Sequence, residues 1–93
     1  MIRSFKSKQT ELIWNGEFSK KFPPDMQQKA RDKLRMLNNS QTIADLRIPP
    51  SNRLESLQGD RKGQYSIRIN DQWRVCFSYQ NGHVYDVEIV DYH

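Results

Sequence analysis

The sequence predicts an α+β domain, with helices in the first half of the chain and a small antiparallel sheet in the second. Two observations carry this. Met26, Ala30, Leu34 and Leu37 recur at helical spacing, whereas from Leu54 onward apolar and polar residues alternate. The second half is also divided by Gly59-Asp60-Arg61-Lys62-Gly63, Asn70-Asp71-Gln72 and Asn81-Gly82-His83, which are turn residues at hairpin spacing. Helices followed by sequential strands define α+β rather than a parallel α/β sheet.

Ile2 to Phe5 is short and apolar enough for a first strand. Ser7 is suited to cap a helix running through Trp14, with Asn15-Gly16 as its stop. Pro23-Pro24 breaks the chain, and Asp25 followed by Gln28 resembles a capping box for the helix that carries the Met26–Leu37 stripe. Lys29 and Lys33 flank that stripe, and Arg31 and Arg35 lie on the far side. These four read as a solvated helix surface rather than an RNA contact. Asn38-Asn39-Ser40 ends the helix, Thr42 to Leu46 fits one more helical turn, and Pro49-Pro50-Ser51-Asn52 is a linker. Four strands follow: Leu54 to Gln58, Gln64 to Ile69, Trp73 to Tyr79 and Val84 to Val90.

With 93 residues the chain makes one domain, 1–93, and its 35 % hydrophobic content implies a thin core in which the aromatics supply much of the buried area. Fifteen Lys/Arg against eleven Asp/Glu give a formal charge of +4, which biases partners toward polyanions or an acidic protein. The single cysteine, Cys76, excludes an internal disulfide and sits in an apolar strand, where packing is its role. Met1-Ile2-Arg3-Ser4-Phe5-Lys6 lacks a signal region and no run is long enough to span a membrane, so a cytoplasmic location is expected.

Alternation fixes which side chains share a face, because a slip of one residue turns every one of them over. A three-residue Asn70-Asp71-Gln72 loop sets Ile69 opposite Trp73, Ile67 opposite Val75 and Arg68 opposite Arg74. A two-residue loop would mix apolar and charged positions. The same reasoning at Asn81-Gly82-His83 favours a three-residue loop that aligns Tyr79 with Tyr85, Phe77 with Val87 and Val75 with Ile89, although Asn-Gly by itself suggests a two-residue turn. The opposite face then carries Arg68, Arg74, Cys76, Ser78, Asp86, Glu88, Val90 and Tyr92. Glu55 joins it if Leu54 packs over Ile67.

This face holds the residue types that RNA cleavage uses. The 2′-hydroxyl must lose a proton, the transition-state charge on phosphorus must be stabilised, and the leaving oxygen must gain a proton. Arg74 and Arg68 suit the second task, because a guanidinium fork matches phosphate oxygens. Glu55 or Tyr92 suits the first and His93 the third. A structural alternative stands beside this: Arg68 and Arg74 could form cross-strand ion pairs with Asp86 and Glu88. His83, Asp91 and His93 are a thin metal set, and no metal or cofactor is expected.

The run from Gly59 to Phe77, GDRKGQYSIRINDQWRVCF, and the ending VEIVDYH, Val87 to His93, resemble the HigB branch of the RelE/ParE toxin superfamily, and within it the GraT-type toxins. The start Met1-Ile2-Arg3-Ser4-Phe5 fits as well, so the resemblance spans nearly the whole chain. It implies a compact RelE-like fold with helices packed on an antiparallel sheet. It implies a ribosome-dependent endoribonuclease that cuts mRNA in the decoding site. It also implies a helix-turn-helix antitoxin, HigA-like, which neutralises the toxin and represses the shared operon by binding operator DNA as a complex. Carried over by position, Arg74 binds the scissile phosphate and Asp91, Tyr92 and His93 complete the active site. Arg61, Lys62, Arg68 and Gln58 are the accompanying candidate RNA contacts. The chain departs from the pattern before the Gly-Asp-Arg turn: relatives there commonly present a His and a Lys, and this chain has Glu55 and Gln58. Glu55 then stands as the candidate base.

Two other readings share these features. A ParE-like inhibitor of DNA gyrase has the same fold and acts through protein contacts, and a nonenzymatic RNA-binding module needs only the basic charge.

Overall fold

The computed structural model describes residues 1–92. Two helices, α1 (Lys8–Trp14) and α2 (Pro24–Asn39), precede four strands, β1 (Glu55–Ser56), β2 (Tyr65–Arg68), β3 (Trp73–Gln80) and β4 (His83–Asp91). The strands form one antiparallel sheet in sequential order. Short 3₁₀ turns at Ile43–Arg47, Pro50–Asn52 and Gly59–Arg61 fill the connections around β1. Among the described residues no helix is long and apolar enough to cross a membrane.

The α1 cap forms as the sequence predicts: the Thr10 amide donates to Ser7 Oγ at 3.2 Å, and Gly16 follows the helix with φ +85°. The capping box expected at Asp25 and Gln28 does not form. The helix begins at Pro24, where a missing N–H costs nothing, and Gln28 bonds Asp32 instead. The entry to α2 is secured by the buried Gln27. Its amide accepts from the Ser19 amide and donates to the Ser19 and Phe22 carbonyls at 2.7 and 2.9 Å.

The core lies between the helices and one face of the sheet. Ile13, Met26, Ala30, Leu34 and Leu37 from the helices meet Ile67, Ile69, Val75, Phe77, Val84, Val87 and Ile89. Burial of side chains this size stabilises the fold by about 1.5–3 kcal/mol each. Trp73 packs edge-on against Phe22 at 5.3 Å between ring centres, closing the end of the core. Thr10 ties α1 to the sheet by accepting from the Ile89 amide at 3.0 Å.

The β2–β3 register is the expected one, with Ile67 opposite Val75 and Arg68 opposite Arg74. The β3–β4 turn differs. Gln80 pairs with His83 across a two-residue Asn81-Gly82 turn, whose φ values are +54° and +79°. Tyr79 therefore faces Val84 and Ser78 faces Tyr85, so the Tyr79–Tyr85 pair does not exist. A bulge then inserts one extra residue into β4 opposite Phe77, and the ladder resumes with Cys76 opposite Glu88 and Val75 opposite Ile89. Asp86, with φ +54°, sits at the bulge. Both signals in the sequence were right locally: the dipeptide set the turn, the core set the far register, and the bulge absorbs the difference.

The bulge also explains the N-terminus. Instead of a continuous strand, Ile2 and Phe5 make two isolated parallel bridges, to Val84 and Val87 on either side of Asp86. Ser4 Oγ accepts from the Asp86 amide at 2.9 Å, capping the group that the ladder leaves unpaired. The expected strand Leu54 to Gln58 is likewise short, because the chain enters and leaves it through 3₁₀ turns. Lys33 corrects the reading of the α2 charges: it is buried and its Nζ donates to Asn52 Oδ1 at 2.6 Å.

Candidate active site

The sheet face turned away from the helices carries the polar residues. Strand pairing puts Glu55 beside Ser66, Cys76 and Glu88 in one row, and Arg68 beside Arg74 and Val90 in the next. Tyr92 follows β4 by one residue, anchored by its amide donating to the Gln72 carbonyl at 2.6 Å. Here an open pocket of about 330 Å³ is lined by Arg53, Glu55, Arg68, Asn70, Asp71, Arg74 and Tyr92.

Arg74 is at its base, and is only 4 % exposed. Its Nε donates to Ser66 Oγ at 2.8 Å, and its Nη2 donates to the Arg53 carbonyl at 2.5 Å and the Ser66 carbonyl at 3.3 Å. The guanidinium lies over the Tyr92 ring, with Cζ 5.2 Å from its centre. Nη1 faces Glu55 Oε1 at 3.8 Å, and among the described residues it makes no hydrogen bond. Two sides of the fork are thus fixed by neutral oxygens, and the third is turned toward the pocket. Glu55 Oε2 accepts from the Tyr92 hydroxyl at 3.3 Å. The carboxylate is therefore held between a cation and a phenol at the pocket wall.

Arg68 forms an ion pair with the exposed Asp71, across the turn that follows β2. Three arginines in the pocket wall face two carboxylates, Glu55 and Asp71. The arrangement leaves the pocket suited to an anion that displaces weak pairings with those acids.

Of the residues singled out in the sequence, Glu55, Arg68, Arg74 and Tyr92 come together. Others do not join them. Arg61 swings from its turn onto the sheet, where Nη2 donates to Glu88 Oε1 at 2.9 Å, and this bond holds its pKa above the usual arginine range. Lys62 and Gln58 are exposed on and before the same turn. Asp91 sits opposite Trp73, one step out of the Arg74 row, and accepts from Gln72 Nε2 at 3.2 Å. His93 lies outside the described residues. The cross-strand alternative also gives way: Glu88 pairs with Arg61, Asp86 is at the bulge, and the arginines turn to Asp71 and Glu55. Cys76 is buried beneath this face, and burial pushes its thiol pKa up, in keeping with a packing role.

The sequence reading missed Arg53, Ser66, Asn70 and Asp71. Ser66 was legible, because it lies diagonal to Arg74 in the expected register. Arg53 was not, since its place depends on the irregular segment before β1.

The model of the HigB-like toxin family, described as the RelE-like toxin of the type II toxin-antitoxin system HigB, matches residues 3–93. The chain belongs to this family. As a HigB-like toxin it is one half of a toxin–antitoxin pair. It is 39 % identical over 83 residues to Toxin HigB-1 of Vibrio cholerae serotype O1, covering 88 % of this chain and 87 % of that one. It is 31 % identical over 93 residues to Endoribonuclease HigB of Proteus vulgaris, covering 100 % of both. Among solved structures, YafQ from E. coli strain BL21(DE3) superposes with a TM-score of 0.64 at 13 % identity, covering 98 % of this chain and 91 % of that one. YoeB in the YoeB–YefM complex from Staphylococcus aureus superposes with a TM-score of 0.61 at 18 % identity, covering 100 % and 98 %. At these identities the likeness is one of fold, and it agrees with the α+β architecture of the HigB-like chain.

Proposed function

We propose that this toxin is a ribosome-dependent endoribonuclease that cuts mRNA and so stops translation. The observation that supports it best is the Glu55 carboxylate held between Arg74 Nη1 and the Tyr92 hydroxyl at the wall of an arginine-lined pocket. The scissile phosphate enters the pocket against the free edge of Arg74, with Arg68 released from Asp71 to take a second oxygen. Glu55, relieved of its weak contact with Arg74, accepts the proton of the adjacent 2′-hydroxyl. That oxygen bonds to phosphorus, and the bond from phosphorus to the 5′-oxygen breaks, leaving a 2′,3′-cyclic phosphate. The guanidiniums stabilise the charge that builds on the non-bridging oxygens. Tyr92 supplies an aromatic face for an unstacked base. His93 is assigned the leaving-group proton on its chemistry alone.

The pocket contains Glu55 where relatives commonly have a His. As a residue type a carboxylate is a weaker base than an imidazole, so the ribosome's contribution to positioning the 2′-hydroxyl matters more. The partner is a helix-turn-helix antitoxin, and the toxin–antitoxin complex binds operator DNA. The net charge of +4 suits an acidic partner segment.

The test is the purified toxin with translating ribosomes and a defined mRNA, with cleavage ends mapped. Wild type is expected to cut only when ribosomes are present, and Arg74→Ala to cut slower by about 10²-fold or more. Intact mRNA with unimpaired translation sinks the reading. Arrest of DNA replication before protein synthesis points to gyrase, and salt-sensitive binding with intact RNA points to a nonenzymatic module.

A further inference from the structure

We infer that Asn52, anchored by the buried Lys33, is a positioning residue that sets the Arg74 guanidinium through the backbone of Arg53. The inference rests on the reading of Arg74 as the phosphate ligand. Asn52 is wholly buried in a segment with little regular structure, and its side chain is the hub of that segment. Its Nδ2 donates to the Leu46 carbonyl at 3.2 Å and the Ile48 carbonyl at 3.4 Å, and its Oδ1 accepts from Lys33 Nζ at 2.6 Å. Its own amide donates to the Pro49 carbonyl at 3.0 Å. One amide side chain thus ties the 46–52 segment to itself and to α2.

The next residue, Arg53, adopts a left-handed conformation with φ +45° and ψ +57°, which a non-glycine residue holds only when its surroundings impose it. That conformation turns the Arg53 carbonyl onto Arg74 Nη2, at 2.5 Å. It is the shortest of the bonds that hold Arg74, and it comes from outside the sheet. The Ser66 contacts follow from strand register, whereas the Arg53 contact follows from Asn52 fixing the loop.

Lys33 is not matched by a carboxylate at hydrogen-bond distance among the described residues; its Nζ donates to the Asn52 oxygen. A charged amine is costly to bury, and a hydrophobic side chain at this helix position would extend the core stripe. Its presence is accounted for by holding the Asn52 amide in one orientation, with oxygen toward α2 and nitrogen toward the loop carbonyls.

The test compares Asn52→Ala in two backgrounds by single-turnover mRNA cleavage on ribosomes, at a temperature where circular dichroism shows each variant folded. In the wild-type background the cleavage step at saturating ribosome complex is expected to slow about 10- to 100-fold, with little change in the concentration that half-saturates it. In the Arg74→Ala background the same change is expected to slow it less than about twofold, because the residue through which Asn52 acts is gone. A general structural role predicts the same factor in both backgrounds, and that result overturns the inference, as does wild-type cleavage by Asn52→Ala. Lys33→Met, which keeps Asn52 and removes its anchor, is the second variant if Asn52→Ala does not fold, and the same pattern is expected of it. A reading independent of activity is rotation of the Arg74 guanidinium about Nε–Cζ by nuclear magnetic resonance. It is expected to speed up in either variant, and an unchanged rate overturns the inference even if wild type never cuts RNA. A wild type that fails to cut, with the rotation altered as expected, sinks only the functional reading.

Discussion

Replacing Arg74 with lysine keeps the charge and removes the fork, and the structure sets the size of the loss. Three acceptors meet the Arg74 side chain: Ser66 Oγ at 2.8 Å, the Arg53 carbonyl at 2.5 Å and the Ser66 carbonyl at 3.3 Å. They are served by two different nitrogens of a planar group. A single lysine nitrogen cannot reach them together, and at least two bonds at this buried site are lost. At about 1 kcal/mol for each bond, and more for an acceptor left dry, Arg74→Lys lowers stability by about 2–3 kcal/mol. For a domain of this size that corresponds to a fall in melting temperature of about 10–20 °C. Cleavage falls further, by about 10²- to 10³-fold, because the lysine ammonium is no longer held with one edge toward the pocket. Circular dichroism melts read the first effect, and ribosome-dependent cleavage below the variant's melting range reads the second. A melting temperature within about 3 °C of wild type would show that the Ser66 and Arg53 bonds contribute little. Cleavage within about threefold of wild type would show that charge alone, not the fork, serves the phosphate.

Three further outcomes are expected. Glu55→Gln keeps an acceptor for Tyr92 and loses the base, so cleavage should drop by about 10²- to 10⁴-fold with little change in melting, since Glu55 is 43 % exposed on its side chain; full activity would remove Glu55 from the proton transfer. Gly82→Ala places a Cβ 3.1 Å from the Gln41 carbonyl at φ +79°, and should cost about 1–2 kcal/mol in urea unfolding, whereas an unchanged midpoint would mean the turn relaxes freely. Burial holds the Lys33 pKa below its ordinary value, so between the folded value and 10.5 the unfolded chain binds more protons and stability rises with pH through that window. Urea midpoints of wild type relative to Lys33→Met should therefore climb as pH approaches 10.5 from below, and a flat difference would refute the assignment.

The fold was legible because its signals are periodic. Helical spacing found α2, alternation found β2 to β4, and Ser7 and Asn15-Gly16 marked the ends of α1. The errors lie where two local signals compete. At the β3–β4 turn the Asn-Gly dipeptide and the apolar pattern demanded registers one residue apart, and a reading without bulges had to discard one of them. The structure keeps both by placing Asp86 at φ +54° beside Ser4. Tyr85 then changes face, from the core to the side that carries Ser78, which no count along β4 alone could foresee.

The site divides along the same line. Arg74, Arg68 and Glu55 were legible because strand register puts them on one face, and Ser66 could have been read the same way. The rest of what holds Arg74 is invisible to periodicity. The Arg53 carbonyl reaches it only because a non-glycine residue is left-handed, and that depends on Asn52 and on a lysine that helical spacing assigned to solvent. Lys33 sits next to Leu34 at the border of the apolar stripe, where burial is decided by what packs above it rather than by the helix itself. What packs above it is the Pro-rich segment before β1, whose Pro49-Pro50-Ser51-Asn52 run has the composition of a linker. A buried amide such as Asn52 must satisfy each of its polar atoms, so it fixes several backbone groups at once. The consequence is an asymmetry in the arginine: the Ser66 contacts come with the sheet, while the Arg53 contact comes with a loop that can be altered without touching a strand. Changes in that loop should therefore alter the toxin's rate without shifting the register of the sheet.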